Sequence, residues 1–350
     1  MHAISSIFDK SSLIKSNVVK LASNTGFSAR TVLTATALSA TLLFSGLSQA
    51  AEPLKIGYSD WPGWVAWQVA IDKGWFKEAG VDVKFDWFDY SASMDAFTAG
   101  KIDGVTVTNG DALVTGSGGA KNVMILLTDY SNGNDMIVGK PGIKSLKDLK
   151  GKKIGLEVGL VEHLLLLNGL EKAGLKEADI TLVNTKTNET PQALASGDLA
   201  AIGAWQPNSG EAMSRVPGAK PIYTSADEPG LIYDVLTVSP ASLSSRKADW
   251  KKVILVWDKV VAYINDPKTQ PDAVKIMAAR VGLKPEAYLP LLKGTKLLSL
   301  AEGKKVFVKA KGFKSLYGSS KIADDFNVKY AVYKKPMDLN KAIDSSLATK

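Results

Sequence analysis

Carboxylates and aromatic side chains are concentrated in the segments that we predict to follow the β-strands. The candidate ligand-binding residues in these segments are Asp60, Trp61, Asp111, Asp129, Tyr130, Asp135, Glu157, Trp205 and Asp234. Carboxylates accept charge-assisted hydrogen bonds from cationic N–H groups, and each aromatic face adds about 0.5–2 kcal/mol of cation–π attraction. The same segments contain no lysine or arginine. This pattern predicts a binding site for a small cation.

Several of these residues also have a structural explanation. An aspartate in a turn or at the start of a helix often acts as a cap, which is the structural alternative for each of Asp60, Asp111 and Asp129. Trp64 and Trp67 are three residues apart on one predicted helix face, so at least one of them is expected in the core. The convergence of many carboxylates at strand ends favours the binding interpretation.

Composition excludes several other kinds of site. The chain has no cysteine, which excludes disulfides, thiolate metal sites and thiol catalysis. Its two histidines are His2 and His163, too few for a multi-histidine metal site. The net charge is +8, but no basic run exceeds two residues, so we expect no nucleic-acid partner. With 45% hydrophobic residues the chain can bury a substantial core.

The N-terminal segment has the pattern of an export signal. Residues 31–46 are uncharged and largely apolar, they follow Arg30, and small residues occupy positions 48 and 50. This pattern predicts a signal peptide over residues 1–50, cleaved after Ala50, and a periplasmic mature protein. The apolar run is short for a transmembrane helix, although an uncleaved membrane anchor is the alternative.

The elements that must position the site alternate between strand and helix. We predict strands at 54–58, 81–88, 104–108, 122–128, 153–157, 180–184, 200–204, 220–224 and 234–238. Helices are predicted at 62–74, 91–99, 160–173, 189–196, 247–265, 270–281 and 285–292, with another from about Gly110. Such alternation predicts parallel sheets in two α/β lobes. The predicted limits are 51–135 plus 235–350 for the first lobe and 136–234 for the second.

An ordered series of phrases carries a family resemblance over roughly residues 54–345. The phrases are KIGYSDWPGWVAWQVAIDKGWFKEAGVDV, FTAGKIDGV, TNGDAL, LKDLKGKKIGLEVG and AIGAWQP. The chain resembles the nitrate/sulfonate/taurine class of periplasmic solute-binding proteins of ABC importers. The resemblance implies the type II bilobed α/β fold of periplasmic binding proteins, with a ligand cleft between the lobes. It also implies a monomer without enzymatic activity or cofactor, which delivers its solute to a membrane permease.

Within that class, TNGDAL and DYSNGND are most similar to the branch associated with urea-carboxylase gene regions and guanidine use. By this resemblance Asp111, Asp129 and Asp135 fall on motif positions, and Glu157 and Asp234 fall on neighbouring cleft positions. The implied solute is guanidine-, amidine- or urea-like. The aromatic residues of the WPGW segment do not match the branch one by one, so the ligand could differ.

Three alternatives remain open from the sequence. The first is the same receptor for taurine, an alkanesulfonate or nitrate, which requires a basic residue in the cleft; Lys186 is the one plausible candidate. The second is an enzyme, for which His163 would be the sole imidazole of the mature chain. The third is an adaptor that presents its ligand to a sensor protein.

Overall fold

Two β-sheets organise residues 52–349, the part of the chain that the computed structural model describes. The predicted signal peptide and its cleavage after Ala50 lie outside the described residues. We call the first sheet with the helices packed on it the first lobe. The second sheet with helices α6 to α8 is the second lobe. This architecture confirms the predicted fold class of two α/β lobes.

The first sheet has the strand order β11-β4-β10-β3-β1-β2. Its strands are β1 (Leu54–Tyr58), β2 (Val83–Trp87), β3 (Gly104–Thr108), β4 (Val123–Ser131), β10 (Tyr233–Val238) and β11 (Thr295–Leu297). Strand β1 is parallel to β2 and β3, whereas β10 is antiparallel to β3 and β4. The first half of the sheet therefore has the predicted parallel pairing, and the half around β10 does not.

The second sheet has the order β7-β6-β8-β5-β9. Its strands are β5 (Asp135–Gly139), β6 (Lys153–Leu156), β7 (Thr181–Asn184), β8 (Ala201–Trp205) and β9 (Lys220–Thr224). Strand β6 is parallel to β7 and β8, and β5 is antiparallel to β8 and β9. The prediction of wholly parallel sheets is wrong, because the chain enters this sheet through β5 and returns to the first through β10.

The positions of β5 and β10 also differ from the predicted limits of the two lobes. Asp135 was expected in the first lobe, but it begins β5 of the second sheet. Asp234 was expected in the second lobe, but it lies in β10 of the first sheet. The strand predicted at 122–128 continues to Ser131, so only three residues separate β4 from β5.

Fifteen α-helices surround the sheets within residues 52–349. They are α1 (Pro62–Val65), α2 (Trp67–Asp72), α3 (Trp75–Glu78), α4 (Tyr90–Thr98), α5 (Asn109–Ser117), α6 (Val161–Lys172), α7 (Thr190–Ser196), α8 (Asn208–Arg215), α9 (Pro240–Ser245), α10 (Lys247–Asn265), α11 (Gln270–Arg280), α12 (Pro285–Tyr288), α13 (Leu300–Val306), α14 (Leu316–Lys329) and α15 (Leu339–Ala342). The helix predicted at 62–74 is divided at Ala66, and α3, α8, α9 and α13–α15 were not predicted.

Buried tryptophans fill the core between the first sheet and its helices. Trp67 lies 4.7 Å, between ring centroids, from Trp257 of α10 and stacks near Phe76. The large apolar area of such rings makes them the main contributors to core burial. This packing confirms the core interpretation of Trp67 and holds the start of α1 and α2 against the ends of the strands.

No helix among residues 52–349 combines the length and the apolar character that a bilayer crossing requires.

Candidate functional site

Two carboxyl groups of the first lobe lie side by side on neighbouring antiparallel strands. Asp129 of β4 pairs in register with Asp234 of β10, and a register irregularity follows Asp234 in the ladder. Cross-strand neighbours have Cβ atoms about 4.5–5.5 Å apart. The two carboxyl groups are within hydrogen-bonding reach of each other. Strand β10, which returns from the second lobe, therefore creates a carboxyl pair.

A second carboxyl pair comes from the second lobe. Asp135 is the first residue of β5, and Glu162 lies in the first turn of α6. Their side chains are within hydrogen-bonding reach of each other. Gly203 of β8 makes room for Glu162, because a Cβ atom at Gly203 would lie 2.9 Å from the Cβ of Glu162.

Asp111 joins the two pairs from the N-terminus of α5. Its backbone N–H donates to Oγ1 of the capping residue Thr108 over 3.1 Å. Its carboxyl accepts from the Tyr90 hydroxyl at 2.7 Å and from the backbone N–H of Val161 in the second lobe at 3.2 Å. We call the five side chains the inner carboxyls: Asp111, Asp129, Asp135, Glu162 and Asp234.

The inner carboxyls are buried and incompletely hydrogen-bonded. No donor among residues 52–349 reaches Oδ2 of Asp129, Asp135 or Asp234, or either carboxyl oxygen of Glu162. No lysine or arginine side chain in the described part of the chain is buried. A buried charge without a partner is costly, so these groups need either protons or an external cation.

Burial shifts the protonation of the whole cluster. It raises the pKa of Asp111 and of Asp135 to about 7, and the pKa of Asp129 to about 6. It also raises the pKa of Glu162 and of Asp234 well above the usual range, with repulsion from neighbouring carboxylates as a further cause. The empty cluster therefore titrates near neutral pH rather than near pH 4.

Aromatic side chains form the wall beside Asp129. Trp61 donates its indole N–H to Oδ1 of Asp129 over 2.8 Å. Gly63 lies directly against the same carboxyl, since a Cβ atom there would be 2.2 Å from Oδ2 of Asp129. Trp64 stacks on Tyr90, with ring centroids 5.2 Å apart and planes 16° apart, and its buried indole N–H has no partner among residues 52–349. Through Trp61 and Tyr90 the aromatic wall contacts two of the inner carboxyls, Asp129 and Asp111.

Three other carboxylates lie toward the mouth of the cleft: Asp60, Asp89 and Glu157, which we call the outer carboxylates. Asp60 accepts from the indole N–H of Trp205 at 2.9 Å and from the amide of Asn208 at 2.6 Å, both in the second lobe. These bonds connect the lobes directly.

The other two outer carboxylates also accept hydrogen bonds across the cleft. Glu157 accepts from Ser91 of the first lobe at 2.9 Å and from Thr187 at 3.2 Å, and Asp89 accepts from Asn188 of the second lobe at 3.1 Å. A cavity of about 120 Å³ lies between the outer carboxylates.

Basic side chains remain at the rim. Lys186 is exposed, and its charge lowers the pKa of Glu157 against the larger raising effect of burial. Arg280 covers the ring of Trp87 at 4.2 Å. Neither touches an inner carboxyl in the contacts that the structure shows. No group of three His, Asp or Glu side chains in residues 52–349 has an arrangement suited to a metal ion.

The structure brings eight of the nine predicted ligand residues to the cleft. They divide into Asp111, Asp129, Asp135 and Asp234 among the inner carboxyls, Asp60 and Glu157 among the outer ones, and the aromatic residues Trp61 and Trp205. Tyr130 does not join them. It lies within β4 rather than in a loop, and its ring packs 5.8 Å from that of Tyr233.

Sequence reasoning missed two partners of the inner carboxyls. Glu162 is not among the predicted ligand residues, although a charged residue at the start of the apolar run VEHLLLLN is a signal for a buried site. Tyr90 is not among them either, but it is the hydroxyl donor to Asp111. His163 has a structural environment, because its ring lies against Phe326 and Tyr330 and its Nδ1 accepts from the Gly159 N–H.

Comparison with known proteins assigns the family. Residues 61–270 match the family described as NMT1/THI5 like. The chain belongs to the NMT1/THI5-like family. A candidate binding protein of Brucella abortus (strain 2308) is 32% identical to this NMT1/THI5-like chain over 177 residues, which are 50% of this chain. The chain spans about half the length of that relative, namely 54%.

Solved structures with this fold include both receptors and an enzyme. The alkanesulfonate-binding protein SsuA from Xanthomonas axonopodis pv. citri bound to MOPS has a TM-score of 0.68 and 18% identity, covering 85% of this chain and all of that one. The desulfurization enzyme DSZB has a TM-score of 0.58 and 16% identity, covering 84% and 97%. At these identities the likeness establishes the NMT1/THI5-like protein's fold alone.

Proposed function

We propose that this protein is the solute-binding component of an ABC importer, and that it captures a small organic cation with several N–H donors, such as guanidine or an amidine. In this proposal the receptor works in the periplasm as a monomer and passes its solute to a membrane permease. The family membership and the SsuA-like fold support the receptor class. The inner carboxyls support the cationic solute.

The observation that carries the proposal is the set of unsatisfied oxygens on the inner carboxyls. Five carboxyl groups converge from two lobes, and no buried lysine or arginine within residues 52–349 neutralises them. A planar cation with N–H groups can donate to several carboxylates at once, and two parallel hydrogen bonds to one carboxylate are especially favourable. The aromatic faces of Trp61 and Trp64 add cation–π attraction.

The outer carboxylates would serve closure rather than contact with the solute. Asp60 and Asp89 each accept hydrogen bonds from the opposite lobe, and Glu157 does so from Ser91. When the lobes approach, these bonds form and water leaves the inner site. Exclusion of water strengthens each charge-assisted contact. Binding and closure would thus favour the same state.

An anionic solute such as taurine, an alkanesulfonate or nitrate is the second candidate. The likeness to SsuA, whose structure holds MOPS, favours it. The inner carboxyls oppose it, because ionised carboxylates repel a sulfonate. Lys186, the basic residue that this alternative needs, is exposed and lies near Glu157 rather than in the inner cluster.

Catalysis is the weaker interpretation. DSZB has the lower TM-score of the two solved structures compared, and His163 faces Phe326, Tyr330 and Glu177 rather than the inner carboxyls. A turnover assay against amidines and pyrimidine precursors tests this interpretation. An adaptor that presents its solute to a sensor protein would use the same site, and only identification of the partner distinguishes it from an importer receptor.

The test is calorimetric titration of the chain from Ala51 with guanidinium, urea, taurine, nitrate and Ca²⁺. We expect guanidinium to bind, and Ca²⁺ and the anions to give no saturable heat. Binding of taurine or nitrate with no guanidinium signal would overturn the cationic assignment and favour the anion receptor. Loss of any taurine signal in Lys186→Ala would then identify the anion's partner.

A further inference from the structure

The inner carboxyls come as two facing pairs rather than as five separate groups. Asp129 and Asp234 belong to the first lobe, and Asp135 and Glu162 to the second. Within each pair the carboxyl groups are in hydrogen-bonding reach, yet each pair contains oxygens without a donor among the described residues. Two carboxylates within hydrogen-bonding distance of each other repel strongly when both are ionised, which is unfavourable in free energy. A proton shared between them removes this repulsion and gives each pair one short, strong hydrogen bond.

We propose that the inner site exchanges a proton for its cation: the ligand-free site holds shared protons between paired carboxyls, and an entering cation takes the place of one of them. This inference rests on the proposed function of the site. The balance is simple, since the protonated protein and the cation give the cation complex and one proton released to solvent. The O–H bond of the acid breaks, its electron pair stays on the carboxylate, and N–H donors of the cation replace the lost hydrogen bond. The net charge of the pocket is unchanged.

The surroundings of the pairs support this exchange. The titratable groups that face the pairs from other elements are all acidic or phenolic: Asp111, Glu157 and Tyr288. His163 follows Glu162 in sequence, but its ring faces Glu177, Phe326 and Tyr330. No basic side chain is buried among residues 52–349 to take the place of the proton. The pKa values of the paired carboxyls are raised, which also favours a protonated site in the absence of a cation.

The exchange has a consequence for selectivity. Urea has the planar shape and N–H groups of guanidinium but no charge, so it cannot replace a proton without leaving an uncompensated carboxylate. A sulfonate would require more protons in the pocket, and its binding would strengthen as the pH falls. Guanidinium stays charged throughout the neutral range, so any pH dependence of its binding belongs to the protein.

The experiment is calorimetric titration of the chain from Ala51 with guanidinium in several buffers of different ionisation enthalpy at one pH. The slope of observed enthalpy against buffer enthalpy counts the protons released. At pH 7 we expect release of about one proton per guanidinium bound, and a dissociation constant that falls about tenfold from pH 6 to pH 7. Infrared spectra should lose the C=O band of a protonated carboxyl when guanidinium is added.

Variants identify the source of the proton. Asp234→Asn replaces a carboxyl of the first pair by an amide, which can donate a hydrogen bond but cannot release a proton. Glu162→Gln does the same in the second pair. We expect the proton count to fall toward zero in at least one of them. Asp324→Asn is the matched control, since Asp324 is equally buried but belongs to α14, where it accepts from Tyr333 and Met337. It should leave the count unchanged.

Two failures can be told apart. Guanidinium binding with no proton release, no loss of the infrared band and the same affinity at pH 6 and pH 8 would overturn the exchange while leaving the proposed receptor intact. Absence of guanidinium binding from pH 6 to pH 9 would overturn the cationic assignment itself, and the exchange with it. The infrared measurement uses the unsubstituted protein, so it decides the question even if neither variant folds.

Discussion

The inner and outer carboxyls are the same chemical group in the same cleft, but they differ in what satisfies them. Each outer carboxylate accepts hydrogen bonds from the opposite lobe, as Asp60 does from Trp205 and Asn208. The inner carboxyls are more deeply buried, and four of the five leave oxygens without donors among the described residues, as Glu162 does at both positions. Acidic residues in a cleft therefore do not have one role: the outer carboxylates connect the two lobes, and the inner carboxyls form a cluster of unsatisfied oxygens that suits a cation.

The largest effect is expected from an inner carboxyl. Asp135→Asn should weaken guanidinium binding more than about 100-fold, because it removes a charge-assisted contact in a dry site. At pH 8 the same variant should melt at a higher temperature than the unsubstituted protein, since the pKa of Asp135 is raised to about 7 and its buried charge is then unfavourable. Titration calorimetry and thermal melting measure both changes.

Asp324→Asn is the control for this variant, because its carboxyl is buried away from the cleft, with two donors to Oδ1 and none among residues 52–349 to Oδ2. It should retain guanidinium binding and lose stability. Equal losses of binding in the two variants would show that the distinction between the site and other buried carboxyls is wrong.

The stability of the ligand-free protein should fall as pH rises from about 4 to about 7. The inner carboxyls have folded-state pKa values raised above the unfolded values near 4, so their stabilising contribution is complete below about pH 4 and is lost progressively until the pH reaches the folded-state values of about 6 to 7. The loss should total a few kcal/mol, since a tenfold difference in proton affinity between the folded and unfolded states corresponds to about 1.4 kcal/mol. Each kcal/mol lowers the melting temperature by about 2–4 °C.

Saturating guanidinium should remove most of this pH dependence by replacing the lost protons. His163 has a pKa lowered by burial, so it acts in the opposite sense, below its unfolded pKa of about 6.5. A melting temperature that is constant or rises between pH 4.5 and pH 7 would contradict the raised pKa values.

An outer carboxylate should matter less and in a different way. Asp60→Ala removes two hydrogen bonds between the lobes, which should lower guanidinium affinity about tenfold, mostly through faster dissociation. The number of protons released on binding should not change, since Asp60 is outside the carboxyl pairs. Stopped-flow measurement of the dissociation rate, with the proton count, tests this. A loss as large as that of Asp135→Asn would place Asp60 among the solute's own contacts.

The smallest of these effects is expected at the aromatic wall. Trp61→Phe keeps the ring but removes the N–H donor to Asp129, so affinity should fall about three- to tenfold. Trp75→Phe is the control, because Trp75 lies under Lys259 in a different part of the first lobe. Isothermal titration of both variants separates the loss of a donor from a general effect of losing an indole. Equal affinities for Trp61→Phe and the unsubstituted protein would mean that the Asp129 contact plays no part in binding.

The positions of the strands could be predicted from the sequence better than the directions in which the strands pair. Alternating apolar patterns located most strands to within a few residues, including β1, β3 and β9. β5 was not predicted as a strand, and the antiparallel direction of β10 could not be predicted, because periodicity indicates a strand but not the direction in which it pairs. Since β10 lies beside β4, this direction is what places Asp234 next to Asp129.

The site residues show a similar limit. Loop carboxylates such as Asp60 and Asp111 could be found because strand ends converge at one edge of a sheet. Tyr130 was misplaced because β4 continues to Ser131, and alternation along a strand turns its side chain away from that of Asp129. Glu162 was missed because a helix dominated by leucine is normally interpreted as core.

A crystal structure of the protein with guanidinium tests the central claim most directly. We expect the cation to lie between the two lobes within hydrogen-bonding distance of Asp129, Asp135 and Glu162, while Asp60 keeps its bonds to Trp205 and Asn208. A cation bound instead in the cavity between Asp60, Asp89 and Glu157, with the inner carboxyls untouched, would contradict it.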